Sequence, residues 1–98
     1  MRPLWFDPSA KAEYLGAIAR HKAESQARGA AFAEDFRSAL DLILEYPRSL
    51  AAGPEGVRNK PLRRFPYTVV FRVTEEDAVE IIALAHQSRE PRYWRDRL

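Results

Sequence analysis

Side chains that could carry out chemistry are concentrated in the second half of this 98-residue sequence. His86 and Tyr93 could transfer protons, and histidine changes its charge near neutral pH. The neighbouring cations are arginines: Arg63, Arg64, Arg72 and Arg89. Cleavage of RNA without a metal ion needs such residues, because a base must activate the 2′-hydroxyl, cations must stabilise the phosphorane and an acid must protonate the leaving oxygen. The candidate catalytic residues of such a nuclease are Arg63, His86, Arg89 and Tyr93.

Each of these residues also has an ordinary structural interpretation. A histidine at the end of a strand commonly hydrogen-bonds the backbone, and Arg89 could form a surface pair with Glu90. Tyr93 and Trp94 could dock the end of the chain on the core, since large aromatic side chains often do so. The residues alone therefore leave catalysis and structure open.

Positive charge is concentrated between Val57 and Val73, although the net charge of the whole chain is only +2. This segment contains no acidic residue, and its cations are Arg58, Lys60, Arg63, Arg64 and Arg72. Such a local excess favours an anionic partner, either nucleic acid or an acidic protein. The alternative is a solvated strand edge that its charge protects from aggregation.

Composition excludes several kinds of site. There is no cysteine, and the two histidines, His21 and His86, have no metal-ligand spacing, so we expect neither a metal nor a cofactor. A reducing cytoplasm is the compatible compartment, and no apolar run is long enough for a signal peptide or a membrane span. His21, among charged neighbours, is expected to be solvated. The length predicts one domain, residues 1–98.

Helical periodicity characterises the first half of the chain. After a short strand over residues 2–6, Asp7 and Pro8 are typical of a helix start, and we expect a helix from Ser9 to about Arg28 with Gly29 as its stop. A second helix is indicated by apolar residues spaced three and four apart: Phe32, Phe36, Leu40, Ile43 and Leu44. Two such helices predict an antiparallel hairpin.

Alternation replaces this periodicity in the second half. Residues 57–64 predict a basic strand or strand-turn, residues 67–73 a half-buried strand, and residues 79–85 a central strand covered on both faces. The sequence thus predicts an α+β fold of order β-α-α-β-β-β, in which a small antiparallel sheet with an N-terminal strand carries a two-helix hairpin on one face. Aromatic side chains expected to remain uncovered on the other face would mark a partner site: Tyr67, Phe71, Tyr93 and Trp94.

Two segments resemble a known family. Residues 62–73, where a basic segment precedes Phe65-Pro66-Tyr67 and a strand, resemble the middle of RelE/ParE toxins. Residues 81–97 are similar to the family's strand followed by His-x-x-Arg, Pro and Tyr-Trp. The first half agrees at Phe6, Pro8, Phe32, Phe36, Leu40 and Pro47. The resemblance covers essentially the whole chain.

The resemblance implies the toxin of a bacterial type II toxin–antitoxin pair, held inactive by an antitoxin that wraps it with helix and strand. ParE-like members inhibit DNA gyrase, whereas RelE-like members cleave mRNA on the ribosome. Where the nuclease branch commonly has an arginine, this chain has Thr68, and Arg72 lies about 13 Å further along the strand. The ParE-like branch is therefore favoured, with a toxin fold that only binds its partner as a third possibility. Residues expected to contact antitoxin or target are Arg58, Lys60, Arg64, Phe71, Arg72, Trp94 and Arg97.

Overall fold

The computed structural model describes residues 2–98 and contains a helical hairpin and one sheet. The elements in chain order are β1 (Leu4–Phe6), α1 (Pro8–Glu24), α2 (Gln26–Glu45), β2 (Arg58–Pro61), β3 (Tyr67–Val73) and β4 (Val79–His86). Short 3-10 turns occur at Pro54–Gly56 and Arg95–Arg97. The α+β class and the element order expected from the sequence are confirmed.

The sheet is mixed rather than wholly antiparallel. Its strand order is β1-β4-β3-β2, in which β2–β3 and β3–β4 are antiparallel pairs. β1 instead runs parallel to β4, with Leu4 opposite Val79 and Phe6 opposite Ile81. This orientation arises because the whole helical hairpin separates β1 from the rest of the sheet, so no tight turn forces β1 to reverse direction.

The break between the helices lies at Ser25, and the expectation that Gly29 ends the first helix was wrong. The backbone N–H of Ser25 donates to the carbonyl oxygen of His21 and ends α1. Its side-chain oxygen accepts from the N–H of Arg28, which is the N-cap interaction that begins α2. Gly29 lies inside α2, where a Cβ atom would be only 3.0 Å from the Cα atom of Lys22. Gly29 therefore permits the two helices to approach closely.

Hydrophobic residues are buried on both faces of the sheet. The larger cluster joins the hairpin to one face and includes Phe32, Phe36, Phe71 and Ile81. A smaller cluster on the opposite face consists of Val57, Val70, Ile82, Ala83 and Trp94, with Tyr93 and Leu98 beside it. A register shift between β3 and β4 at residues 70–71 allows the consecutive Ile82 and Ala83 to join the same cluster. The prediction that β4 is covered on both faces is confirmed.

No helix among residues 2–98 combines the length and the hydropathy needed to cross a membrane.

Candidate functional site

The C-terminal segment, residues 87–98, crosses the face of the sheet that the helices leave open, and we call it the tail. Trp94 is its main apolar anchor and is buried in the smaller cluster against Val70 and Ile82. The tail covers part of this helix-free face, whereas Tyr67 and Phe71, which were predicted to lie uncovered there, belong instead to the larger cluster on the helical side. What stays accessible is a groove beside the tail.

The groove has a volume of about 410 Å³ and lies between the tail and strands β2, β3 and β4. His86, Arg89 and Tyr93 line it, together with Thr68. Three of the four candidate catalytic residues are thus brought to one place. The fourth, Arg63, is not among the lining residues.

His86 is held at the end of β4 by its neighbours. Its ring meets the ring of Tyr67 edge to face, with centroids 4.9 Å apart. Its Nδ1 atom accepts a hydrogen bond of 3.0 Å from the backbone N–H of Ser88, and the Ser88 hydroxyl is 2.7 Å from the same atom. This local bond to the backbone was the ordinary alternative to catalysis, and it leaves Nε2 as the ring nitrogen that could meet a ligand.

Tyr93 is committed to an internal hydrogen bond. Its phenol donates to the Oε2 atom of Glu13 at 2.7 Å. Burial raises the pKa of Tyr93, and the hydrogen bond to the Glu13 carboxylate raises it further. Because the phenol keeps its proton and points at an acceptor inside the protein, it is poorly placed to transfer a proton to a substrate. The guanidinium of Arg89 lies over the aromatic ring of Tyr93, 3.8 Å from the ring centroid.

Glu13, which the sequence analysis did not single out, joins α1 to both β4 and the tail. Its carboxylate accepts hydrogen bonds from the N–H of Leu84 and, at 2.9 and 3.0 Å, from both terminal nitrogens of Arg97. Arg97 was expected to contact a partner, but its guanidinium forms an ion pair with Glu13 inside the protein. No local signal distinguishes Glu13 from other polar residues of α1, since its partners are remote in sequence.

Arg63 and Arg64 lie in the loop that follows β2, and their side chains are exposed. The backbone N–H groups of Arg63, Arg64 and Phe65 all donate to the buried carboxylate of Asp35, at 2.8–3.3 Å. Asp35 therefore fixes the position of the basic loop. Its place three residues after Phe32, on the apolar face of α2, is a sequence signal that could have identified it.

The remaining expected contact residues divide into buried and paired side chains. Phe71 has no exposed surface, so its expected role as an exposed anchor is corrected, and Trp94 is only 6% exposed. Arg72 forms an ion pair of 2.7 Å with Glu80 on the neighbouring strand. Arg58 donates to the carbonyl oxygen of Leu50.

Lys60 remains half-buried on the edge strand β2, and no acidic group lies within 4 Å of it among residues 2–98.

His21 is not a solvated surface residue as expected. Its ring packs on Phe32, with centroids 4.8 Å apart, and on Phe65 at 5.0 Å. Arg28 donates to its Nδ1 atom. Burial lowers the pKa of His21, and the nearby positive charge of Arg28 lowers it further. This partly buried histidine therefore packs against the aromatic residues Phe32 and Phe65 of the larger cluster.

Within residues 2–98, no three histidine, cysteine or acidic side chains form a group that could hold a metal ion.

A helical hairpin on one face of a four-stranded mixed sheet is the fold of the RelE/ParE toxins. A solved chain described as part of the chromosomal ParDE toxin–antitoxin system from P. aeruginosa superposes with a TM-score of 0.73 at 19% identity, covering 88% of this chain and 96% of that one. The isolated E. coli RelE toxin gives a TM-score of 0.63 at 25% identity, with coverages of 98% and 95%. No curated protein sequence matches significantly.

The family follows from the sequence match. The model for the ParE toxin of the type II toxin–antitoxin system parDE matches residues 4–91. The chain therefore belongs to the ParE toxin family.

Proposed function

We propose that this protein arrests bacterial growth when free by inhibiting DNA gyrase, without hydrolytic chemistry. The observation that carries this proposal is the hydrogen bond from the Tyr93 phenol to Glu13. It removes one of the two proton-transfer groups that an RNA-cleaving site would need. The proposed site of action is the cytoplasm, where gyrase acts.

Two further features favour a toxin without hydrolytic activity. The groove has Thr68 where the nuclease branch commonly carries an arginine, and Arg72 is neutralised by Glu80. Arg63 lies outside the groove, in the loop held by Asp35. The cations available to stabilise a pentacovalent phosphate next to His86 therefore reduce to Arg89 and the partly neutralised Arg92.

We also propose that a cognate antitoxin neutralises the toxin by direct binding. Large apolar side chains remain exposed and would be covered by such a partner: Trp5, Leu15, Leu42 and Tyr46. The similar P. aeruginosa chain is described as part of a ParDE toxin–antitoxin system, which supports the expectation of an antitoxin. A disordered antitoxin segment could fold onto these residues and onto the groove.

A RelE-like mRNA endonuclease is the second candidate, and one observation favours it. His86 and Arg89 both line the groove, so a histidine and a cation face the same cavity. A toxin fold that only binds its partner is the third possibility, and it predicts no growth arrest.

The deciding experiment is brief induction of the protein without its antitoxin in bacteria. Protein synthesis, followed by amino-acid incorporation, is compared with plasmid supercoiling over the same minutes. Lost supercoiling with continued translation is the expected result, and purified gyrase should be inhibited by the purified toxin. An early stop in translation with cleaved messages contradicts the proposal and favours the nuclease. His86→Ala should retain toxicity if no RNA is cleaved.

A further inference from the structure

The Glu13 carboxylate is the point at which the tail is attached to the helical layer. Both of its oxygens are used: Oε1 accepts from Leu84 and Arg97, and Oε2 accepts from Tyr93 and Arg97. The side chains of Glu13 and Arg97 are only 18% and 19% exposed. The two parallel hydrogen bonds from one guanidinium define its orientation as well as its position.

Glu13 and Arg97 together complete the backbone hydrogen bonding of β4. The pairing with β1 ends at Ile81, so the following residues of β4 have no strand beside them on that edge. Glu13 accepts from the N–H of Leu84, and Arg97 donates to the carbonyl oxygen of Ile82 at 3.1 Å. The tail is therefore attached to the sheet edge through this pair of charges.

Electrostatics favour the ionised form of Glu13 at this position. Burial alone would raise its pKa, but the hydrogen bonds from Arg97, Tyr93 and Leu84 outweigh burial and hold the pKa below its ordinary value. The carboxylate is thus charged at neutral pH and can orient both tail residues.

Arg89 is the tail cation that stays free of an acidic partner. The ion pairs within residues 2–98 include Arg92 and Arg95 with Glu55, and Arg97 with Glu13, whereas Arg89 forms none. Arg89 instead stacks 3.8 Å above the Tyr93 ring, whose hydroxyl is fixed by Glu13. The position of this free charge thus depends on Glu13 through the ring of Tyr93.

We propose that Glu13 is a positioning residue for toxicity: it holds Tyr93 and the tail so that Arg89 is presented to an anionic group of the target. This inference rests on the proposed function. Glu13 itself, enclosed by its partners, does not touch the target.

Three variants separate positioning from contact. Glu13→Ala should weaken gyrase inhibition by at least about tenfold and accelerate amide exchange in the tail, since hydrogen bonds to a charged group are lost. Arg89→Ala should weaken inhibition similarly but leave tail exchange unchanged, because the hydrogen bonds from Tyr93 and Arg97 to Glu13 remain. Glu13→Gln, which keeps an acceptor for Leu84, should recover part of both properties. Glu34→Ala, an exposed helical glutamate, is the matched control and should behave as the wild type.

The amides to follow are those of Arg97 and Leu98, which donate to Trp94 and Arg95. Amides of the central strands should remain protected in Glu13→Ala, which shows that the variant is folded. Unchanged inhibition or unchanged tail exchange in folded Glu13→Ala overturns the positioning role. A wild-type toxin that leaves gyrase unaffected contradicts the proposed function instead, and growth arrest by the same variants then tests the positioning role.

Discussion

Arg92 and Glu55 form an ion pair of 2.6 Å in which both residues have a left-handed backbone, with φ angles of 59° and 62°. This conformation is unfavourable for residues with a Cβ atom. The pair fixes the tail to the loop before β2. The tail is therefore held at two places, by Glu13 and by Glu55, and its attachment at Arg92 is made in a strained conformation.

Substitutions of Arg92 should reverse the usual order of alanine and glycine. Arg92→Ala loses the ion pair and keeps the strain, so we expect a loss of about 1 kcal/mol in the free energy of unfolding. Arg92→Gly removes the strain as well, and should be more stable than Arg92→Ala by about 1 kcal/mol. Urea unfolding of both variants checks this order. Equal stability, or a more stable alanine variant, would contradict the left-handed assignment.

Alanine substitutions at two helical glycines should have opposite effects. Gly29→Ala should destabilise the protein by about 1 kcal/mol, because its Cβ atom would lie 3.0 Å from Lys22 and the overlap outweighs the gain in helix propensity. Gly16→Ala is the matched control, since the nearest atom to its Cβ is a side-chain nitrogen of Arg20 at 3.6 Å. We expect it to stabilise by up to about 1 kcal/mol. Thermal unfolding of the two variants measures the difference.

Asp35 should be important for stability despite being acidic and buried. Asp35→Ala leaves the N–H groups of Arg63, Arg64 and Phe65 without their acceptor, and should cost roughly 2–4 kcal/mol. Asp41→Ala, on the exposed side of the same helix, should change stability by less than about 0.5 kcal/mol. Chemical denaturation distinguishes the two, and equal effects would show that the Asp35 contacts contribute little.

His21 should make stability depend on pH near neutrality. Its pKa in the folded protein is lowered from the ordinary 6.5, chiefly by burial and then by Arg28, while Glu24 opposes the shift. As the pH falls, His21 therefore takes up its proton in the unfolded chain before it does so in the folded protein. The free energy of unfolding is thus at its full value above about pH 6.5 and decreases as the pH drops below it.

The matched variant is His21→Phe, which keeps an aromatic ring against Phe32. It should lack this component of the pH dependence, whereas His86 is present in both proteins. Unfolding free energies at pH 7.5 and 5.5 give the comparison. If the free energy of unfolding falls by the same amount between pH 7.5 and 5.5 in both proteins, a group other than His21 causes the pH dependence.

Local patterns in the sequence were sufficient to predict most of the helices and strands. The alternation over residues 67–73 and the apolar run from Val79 predicted β3 and β4, because a strand buried on one or both faces constrains nearly every residue in it. Asp7 and Pro8 correctly predicted the start of α1. Gly29 misled because a glycine that permits close packing and a glycine that ends a helix look alike in a single sequence.

Long-range contacts determine which side chains are buried and which residues meet in the groove, and the sequence could not predict these. Phe71 was expected at the surface, since alternation shows which residues share a face but not which face a helical layer covers. Glu13 follows the polar pattern of α1, and its role arises only when Leu84 and Arg97 are brought beside it. The sequence offered His86, Arg89, Tyr93 and Arg63 as candidates for one nuclease site, but which of them line the same groove depends on long-range contacts, such as those by which Asp35 holds the loop of Arg63.

The parallel pairing of β1 with β4 affects when the protein can fold as it is synthesised. Leu4 is translated well before its partner Val79, because both helices and two strands lie between them in the sequence. β1 therefore stays unpaired until β4 has been synthesised, and contacts so distant in sequence slow folding. The edge of β4 that β1 covers is therefore the last part of the sheet to be closed.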